Sequence, residues 1–259
     1  MKRRILFSVI AAAVVTVAGC SVIKNINWNQ AKLQNALVNA ATAASITDEQ
    51  VAQLSALTVA SLDASNVMEK GAYLTRLKKL MKGVTVDGMT PKLGVYKTDE
   101  VNAFACGDGS IRVYTGLMDI MSDNELMAVL GHEIGHVVNK DSKDAMRNAY
   151  LTLAAREAIG AASEKAAVLT DSFIGDLAQA YITSQFSQKQ ELEADDYGFG
   201  FAIQQGYDPY SMADALTKLQ SLSSGSASTI QQMFSTHPDS ALRAKKMREK
   251  ADAYVAAKK

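Results

Sequence analysis

Ser122-Asp123-Asn124-Glu125-Leu126-Met127-Ala128-Val129-Leu130-Gly131-His132-Glu133-Ile134-Gly135-His136 is the stretch that decides how the chain folds. Ser122 and Glu125 have the spacing of a capping box, in which each side chain satisfies a backbone N–H left free by the first helical turn. Leu126, Val129, Leu130, Ile134 and Val137 keep helical spacing, so a helix is expected from Ser122 onward. His132 and His136 stand at i and i+4 on one face, where both imidazoles reach a single ion. Zn²⁺ accepts imidazole nitrogen, and a catalytic site keeps one coordination place for water. Glu133 follows the first His, where its carboxylate reaches that water. A metal there lowers the water's pKa, the carboxylate takes the proton, and the oxygen attacks a peptide carbonyl. With three His and ten Glu in 259 residues, chance gives this five-residue pattern in about one sequence in a thousand. Gly135 inside a helix costs about 1 kcal/mol relative to Ala. It makes sense if something approaches that face closely.

A third protein ligand is required. His237 is the one remaining histidine, and a downstream run offers Glu191-Leu192-Glu193-Ala194-Asp195-Asp196. A long helix is expected over about residues 176–205, ended by Gly206 with Pro209 beyond. Along it Ala180, Ser184, Ser187, Glu191, Ala194, Gly198 and Ala202 form a stripe of small residues that permits close approach of another helix. Glu191 lies in the stripe, whereas Glu193 falls among Ile182, Phe186 and Tyr197. The two positions differ by about 200° around a helix, so one helix cannot present both to one ion. Asp195, one turn after Glu191, is placed to accept a hydrogen bond from a ligand imidazole and fix its tautomer.

Upstream, Thr47 caps a helix carrying Val51, Leu54, Leu57 and Leu62, and a second helical pattern runs from Tyr73 to Met81 and closes near Gly83. The period then changes. Leu93 to Tyr96, Asn102 to Ala105 and Ile111 to Tyr114 read as strands, the last two joined by a Gly107-Asp108-Gly109 turn. Residues 145–170 are Ala-rich but interrupted by charge, residues 221–228 form a Ser/Gly/Ala loop, and a last charged helix occupies about 239–257. The fold class is α+β, a small sheet followed by a helical body.

Met1-Lys2-Arg3-Arg4, the apolar run from Ile5 to Ala18 and the ending Val17-Ala18-Gly19-Cys20 resemble a bacterial lipoprotein leader over residues 1–19, with Cys20 as the lipidated residue. Residues 20–45 then suit a tether, and residues 46–259 the folded domain, its helical N-terminal part reaching to about 83 and its core spanning about 84–250. Ser21 after the Cys resembles outer-membrane sorting in Gram-negative bacteria. With the leader removed, 24 basic groups face 27 acidic ones. That balance gives no reason to expect nucleic acid or a polybasic membrane patch. Cys106 is then the one thiol left. It reads as a packing residue, with an intermolecular bridge the open alternative.

HExxH followed by ExxxD on a later helix resembles the gluzincin metallopeptidases of the HtpX and CAAX prenyl protease type, over most of residues 70–250. The resemblance implies a mostly helical zincin-type domain with an antiparallel-edged sheet beside the active-site helix. It also implies one Zn²⁺ held by His132, His136 and Glu191, with Glu133 as base and Asp195 behind a ligand. Asn102, Ala103, Phe104 and Ala105 resemble the family's edge strand, which holds substrate as an added strand. Residues 187–196 resemble its third-ligand helix, and Thr236-His237-Pro238 an element near its C-terminus. His237 would then lie near the metal, stabilising an oxyanion or occupying the open place in a latent form. From the residues alone, a surface His fits equally well. The implied activity is endoproteolysis of unfolded or misassembled envelope proteins; the other reading is an assembly factor or chaperone that holds clients in the same cleft. Unlike HtpX, the chain shows no membrane-spanning helices, so neither intramembrane proteolysis nor prenyl-substrate chemistry is implied.

Overall fold

The computed structural model describes residues 45–162, 173–223, 231–238 and 240–259. The leader, the tether with Cys20 and most of the Ser/Gly/Ala loop lie outside the described residues. In chain order the elements are α1 (Asp48–Ser65), β1 (Met68–Glu69), α2 (Ala72–Leu80), β2 (Lys92–Tyr96), β3 (Ala103–Ala105), β4 (Ser110–Tyr114) and α3 (Thr115–Ile120). Then follow α4 (Asp123–Val138), α5 (Asp141–Ala162), α6 (Phe173–Ile182), α7 (Gln188–Gln204), α8 (Ser211–Ser223), α9 (Gln231–Thr236) and α10 (Ser240–Ala256). The fold is α+β and mostly helical.

The sheet order is β1-β2-β4-β3, with β2 and β4 parallel and both outer pairs antiparallel. The β3–β4 hairpin closes where Cys106 N–H donates to Ser110 O (2.9 Å) and Gly109 N–H to Cys106 O (3.0 Å). Gly109 takes φ +78° there, a left-handed conformation open to glycine without a Cβ clash. Alternation along β4 sends Ile111 and Val113 into the core shared with Leu126, Leu130 and Ile134 of α4. Tyr114 points the other way, to Leu62 of α1 and Ala178 of α6. Arg112 is on that second face, and its guanidinium grips both oxygens of Asp63 at 2.8 Å while Tyr96 OH donates to Asp63 Oδ1 at 2.8 Å. One ion pair thus fastens α1 across the sheet.

The helix expected over about residues 176–205 is two helices. Thr183 and Ser184 hydroxyls bond back to Gln179 O and Ala180 O and satisfy the last carbonyls of α6. Ser187 then opens α7 with its own capping box to Gln190. Short hydroxyl side chains compete with the backbone ladder, and here they end one helix and start the next. The small-residue stripe therefore acts only from Glu191 on. Likewise α8 runs on to Ser223, past the expected start of the loop.

That shorter stripe packs directly against α4. A Cβ on Gly131 would lie 2.9 Å from Gly198 Cα, and one on Gly135 would lie 3.1 Å from Ala194 Cα. In the other direction, a Cβ on Gly198 would lie 2.8 Å from His132 N and 2.9 Å from Ala128 O. Gly200, on the same helix, has nothing within 4 Å. Gly198→Ala should destabilise the protein by about 1–3 kcal/mol through overpacking, although Ala is the better helix former. Gly200→Ala should stabilise it by up to about 1 kcal/mol. Thermal melts of the two variants check the pair; equal shifts would refute the close approach.

Candidate metal centre

His132 and His136 of α4, Glu191 of α7 and His237 just after α9 converge, with their ligand atoms all within 4.8 Å of one another. Two N-caps aim them. Ser122 and Glu125 fix the start of α4, and Ser187 and Gln190 fix the start of α7, which puts Glu191 in its first turn. His132 Nε2 lies 3.1 Å from His136 Nε2 and 3.3 Å from His237 Nδ1. Glu191 Oε1 lies 2.9 Å from His237 Nδ1 and 3.5 Å from His136 Nε2. An ion bonded tetrahedrally at about 2.0–2.1 Å keeps its donors about 3.3 Å apart. The observed spacings bracket that value.

The outer ring nitrogens are fixed as well. Asp195 Oδ1 lies 2.9 Å from His132 Nδ1, and Asp141 Oδ2 lies 2.8 Å from His136 Nδ1. An ionised carboxylate only accepts, so both imidazoles carry a proton on Nδ1, which leaves Nε2 as the atom each ring offers to an ion. Phe186 stacks on His136 with ring centres 3.9 Å apart. Gln190 Nε2 donates to Asp141 Oδ1 (2.9 Å), and Arg243 donates to both oxygens of Asp195 at 2.7 Å.

Charge points the same way. Glu133, Asp141, Glu191 and Asp195 are all buried, and among the described residues Arg243 is the one guanidinium buried with them. Excess negative charge out of water is costly unless a cation offsets it, so spacing, donor type and charge all fit a divalent ion. Burial would raise Glu191, but His237, His136 and His132 hold it far below the usual carboxylate range. Burial also opposes ionisation of Asp195, and Arg243 and His132 keep that carboxyl low. For His136, burial is outweighed by Asp141, Glu191 and Glu133, which raise it to about 9.

Glu133 Oε1 is buried, has no hydrogen-bond partner, and lies 3.8 Å from His237 Nε2. A cavity of about 40 Å³ beside it is walled by Asn102, Ala103, Phe104 and Ala105 on one side and by Tyr181 and Phe186 on the other. A second cavity of about 20 Å³ is lined by Val129, Met212, Leu216 and Met233 and by His132, Glu133, His237 and Arg243 of the site. β3 is an edge strand of the sheet, as expected.

The sequence model of peptidase family M48 matches residues 69–251, well over half of the chain. The chain belongs to peptidase family M48. It is 37% identical over 257 residues to Metalloprotease LoiP of Escherichia coli K12, covering 98% of each protein. Metalloprotease YcaL of the same strain is 36% identical over 254 residues, covering 96% of this chain and 98% of its own. Protease HtpX of Acinetobacter baylyi is 34% identical over 155 residues, half of each chain. The M48 assignment makes the protein a metallopeptidase whose substrates are proteins.

The structure brings His132, Glu133, His136, Glu191, Asp195 and His237 into one site, with residues 102–105 along its wall. It leaves Glu193 outside, exposed and 3.6 Å from Lys189. Cys106 packs with Val51, Met146 and Leu177, where burial pushes its thiol up to about 12, as suits a packing residue. Sequence reasoning missed Asp141, Phe186 and Arg243. Asp141 had a signal: it stands five residues after His136, where the chain leaves α4 and begins α5. Glu191→Ala should lose most bound metal, whereas Asp141→Ala and Asp195→Ala should bind it about 10–100-fold more weakly. Glu193→Ala should match the parent. Metal content and chelator competition on the purified variants decide this, and metal loss in Glu193→Ala would overturn the ligand set.

Proposed function

We propose that this metallopeptidase is a zinc endopeptidase, one Zn²⁺ per chain, which cuts unfolded or misassembled envelope proteins. In this reading lipid on Cys20 holds it at the periplasmic face of the Gram-negative outer membrane. The observation that carries the zinc assignment is the three-donor set of His132 Nε2, His136 Nε2 and Glu191 Oε1, with a buried carboxylate beside it. Imidazole and carboxylate at this spacing suit Zn²⁺. The anchor rests on the leader pattern ending at Cys20, and among the described residues no helix is long and apolar enough to cross a membrane.

When bound, the ion polarises the scissile carbonyl and makes the attacking water acidic. Glu133 takes the water's proton and passes it to the leaving amine as the C–N bond breaks. His237 stands across from Glu133 and donates to the oxygen of the tetrahedral adduct. Asp195 and Asp141 hold the two ligand rings in the productive tautomer. β3 takes the substrate main chain as an added strand, which gives little side-chain selectivity and suits unfolded clients. Ala105 O accepts from Tyr181 OH at 3.3 Å, so an incoming strand displaces Tyr181 and the connection at residues 183–186.

Glu133→Gln should keep its zinc and lose at least about 100-fold in the rate of cleaving unfolded casein. Appreciable turnover in that variant would refute the role of Glu133. An assembly factor acting without cleavage would instead keep its cellular effect in the same variant. Cys20→Ala should leave the soluble fraction active and the membrane fraction empty of the protein; a variant still bound to membranes would remove the lipid anchor from the proposal.

A further inference from the structure

Arg243 is an arginine only 2% exposed, in the first turn of α10; it is absent from the cavity walled by β3 but lines the second cavity together with His132, Glu133 and His237. Its Nε and Nη2 each donate to Asp195 at 2.7 Å, in the parallel fork that a guanidinium makes with a carboxylate. Its Nη1 forms an ion pair with Glu191 Oε2. Nη1 also lies 3.4 Å from Pro238 O, and Nη2 lies 3.4 Å from His132 Nδ1. A single side chain thus holds the carboxylate of one metal ligand and the carboxylate that orients another.

The two oxygens of Glu191 therefore have different surroundings. Oε1 faces His237 and His136 at 2.9 and 3.5 Å, inside the donor cluster. Oε2 pairs with the guanidinium and is the oxygen of this carboxylate nearer to His132 Nε2, at 3.7 Å. A carboxylate that chelates an ion through both oxygens fills two coordination places. A catalytic site needs three protein donors and one place left over.

We propose that Arg243 is a positioning residue that restrains Glu191 to ligation through Oε1 alone, and so keeps a coordination place free for water and substrate. The inference rests on the metal reading above. It gives a task to a residue that none of the steps above uses. A lysine is a single point charge and cannot hold Asp195 with two parallel hydrogen bonds while its charge also pairs with Glu191, so charge alone does not suffice.

The test uses the full chain loaded with Co²⁺, whose visible absorption is strong in four-coordinate sites and weaker in five-coordinate ones. Arg243→Gln and Arg243→Lys are compared with the parent, and Arg248→Ala serves as a control. Arg248 makes an exposed ion pair from the same helix to Asp214 of α8. Arg243→Gln should bind Co²⁺ with the weaker, five-coordinate spectrum, and its zinc form should lose about 10–100-fold in kcat with KM little changed. Arg243→Lys should show the same spectral change with a fold closer to the parent, and Arg248→Ala should match the parent throughout. If both Arg243 variants fold by circular dichroism and keep the parent spectrum, the proposal is overturned. Should Arg243→Gln fail to fold, the spectrum of Arg243→Lys decides alone. A parent that binds neither Co²⁺ nor Zn²⁺ would instead overturn the metal reading beneath it.

Discussion

The contact of α4 with α7 is set by side chains that are missing. Gly131, Gly135 and Gly198 let the two backbones approach until an added Cβ would touch the partner's main chain. An imidazole or a carboxylate reaches only a few ångströms from its helix, so donors on two helices meet at one ion only if the axes come this close. The cost of about 1 kcal/mol for each helical glycine is thus offset by a geometry that larger residues would forbid. The apolar contacts of Ile111 and Val113 hold α4 against the sheet, and the ion pair between Asp63 and Arg112 fastens α1 to the sheet's other face.

Around that contact the polar groups divide into two layers. The inner layer of ring nitrogens and one carboxylate oxygen is spaced for an ion. The outer layer of Asp141, Asp195, Gln190 and Arg243 fixes tautomers and orientations. Each buried polar group of the outer layer has a named partner, which is what a low-dielectric interior requires. At the centre itself Glu133 Oε1 and Glu191 Oε2 have no hydrogen-bond partner, and Glu133 Oε1 is the atom whose proposed task is to accept a proton from a passing water.

Much of this was legible in the sequence because it rests on local rules. The i, i+4 histidines, the Ser122–Glu125 box and the glycine turn at residues 107–109 are all decided within five residues. The choice of Glu191 over Glu193 came from helical phase, and phase survives a helix break upstream. The break itself was missed, although Ser187 and Gln190 have the spacing of a capping box; the hydrophobic rhythm ran through the gap and hid it. The two-residue strand β1 is too short to leave a pattern. Arg243 was beyond reach for a different reason: no spacing rule links a residue of α10 to one of α7, and only the packing of α8 and α10 beside α7 brings them together.

The order in which the centre is assembled follows from its longest span. His132 and Arg243 are 111 residues apart in the chain and meet at one carboxylate. A polypeptide made or exported N-terminus first exposes the HExxH helix long before α7, the His237 loop and α10 have emerged. Throughout that interval it has two imidazoles and a base but no third ligand and no restraint on one. A centre that closes only with its late helices stays without its third ligand until most of the chain has been made.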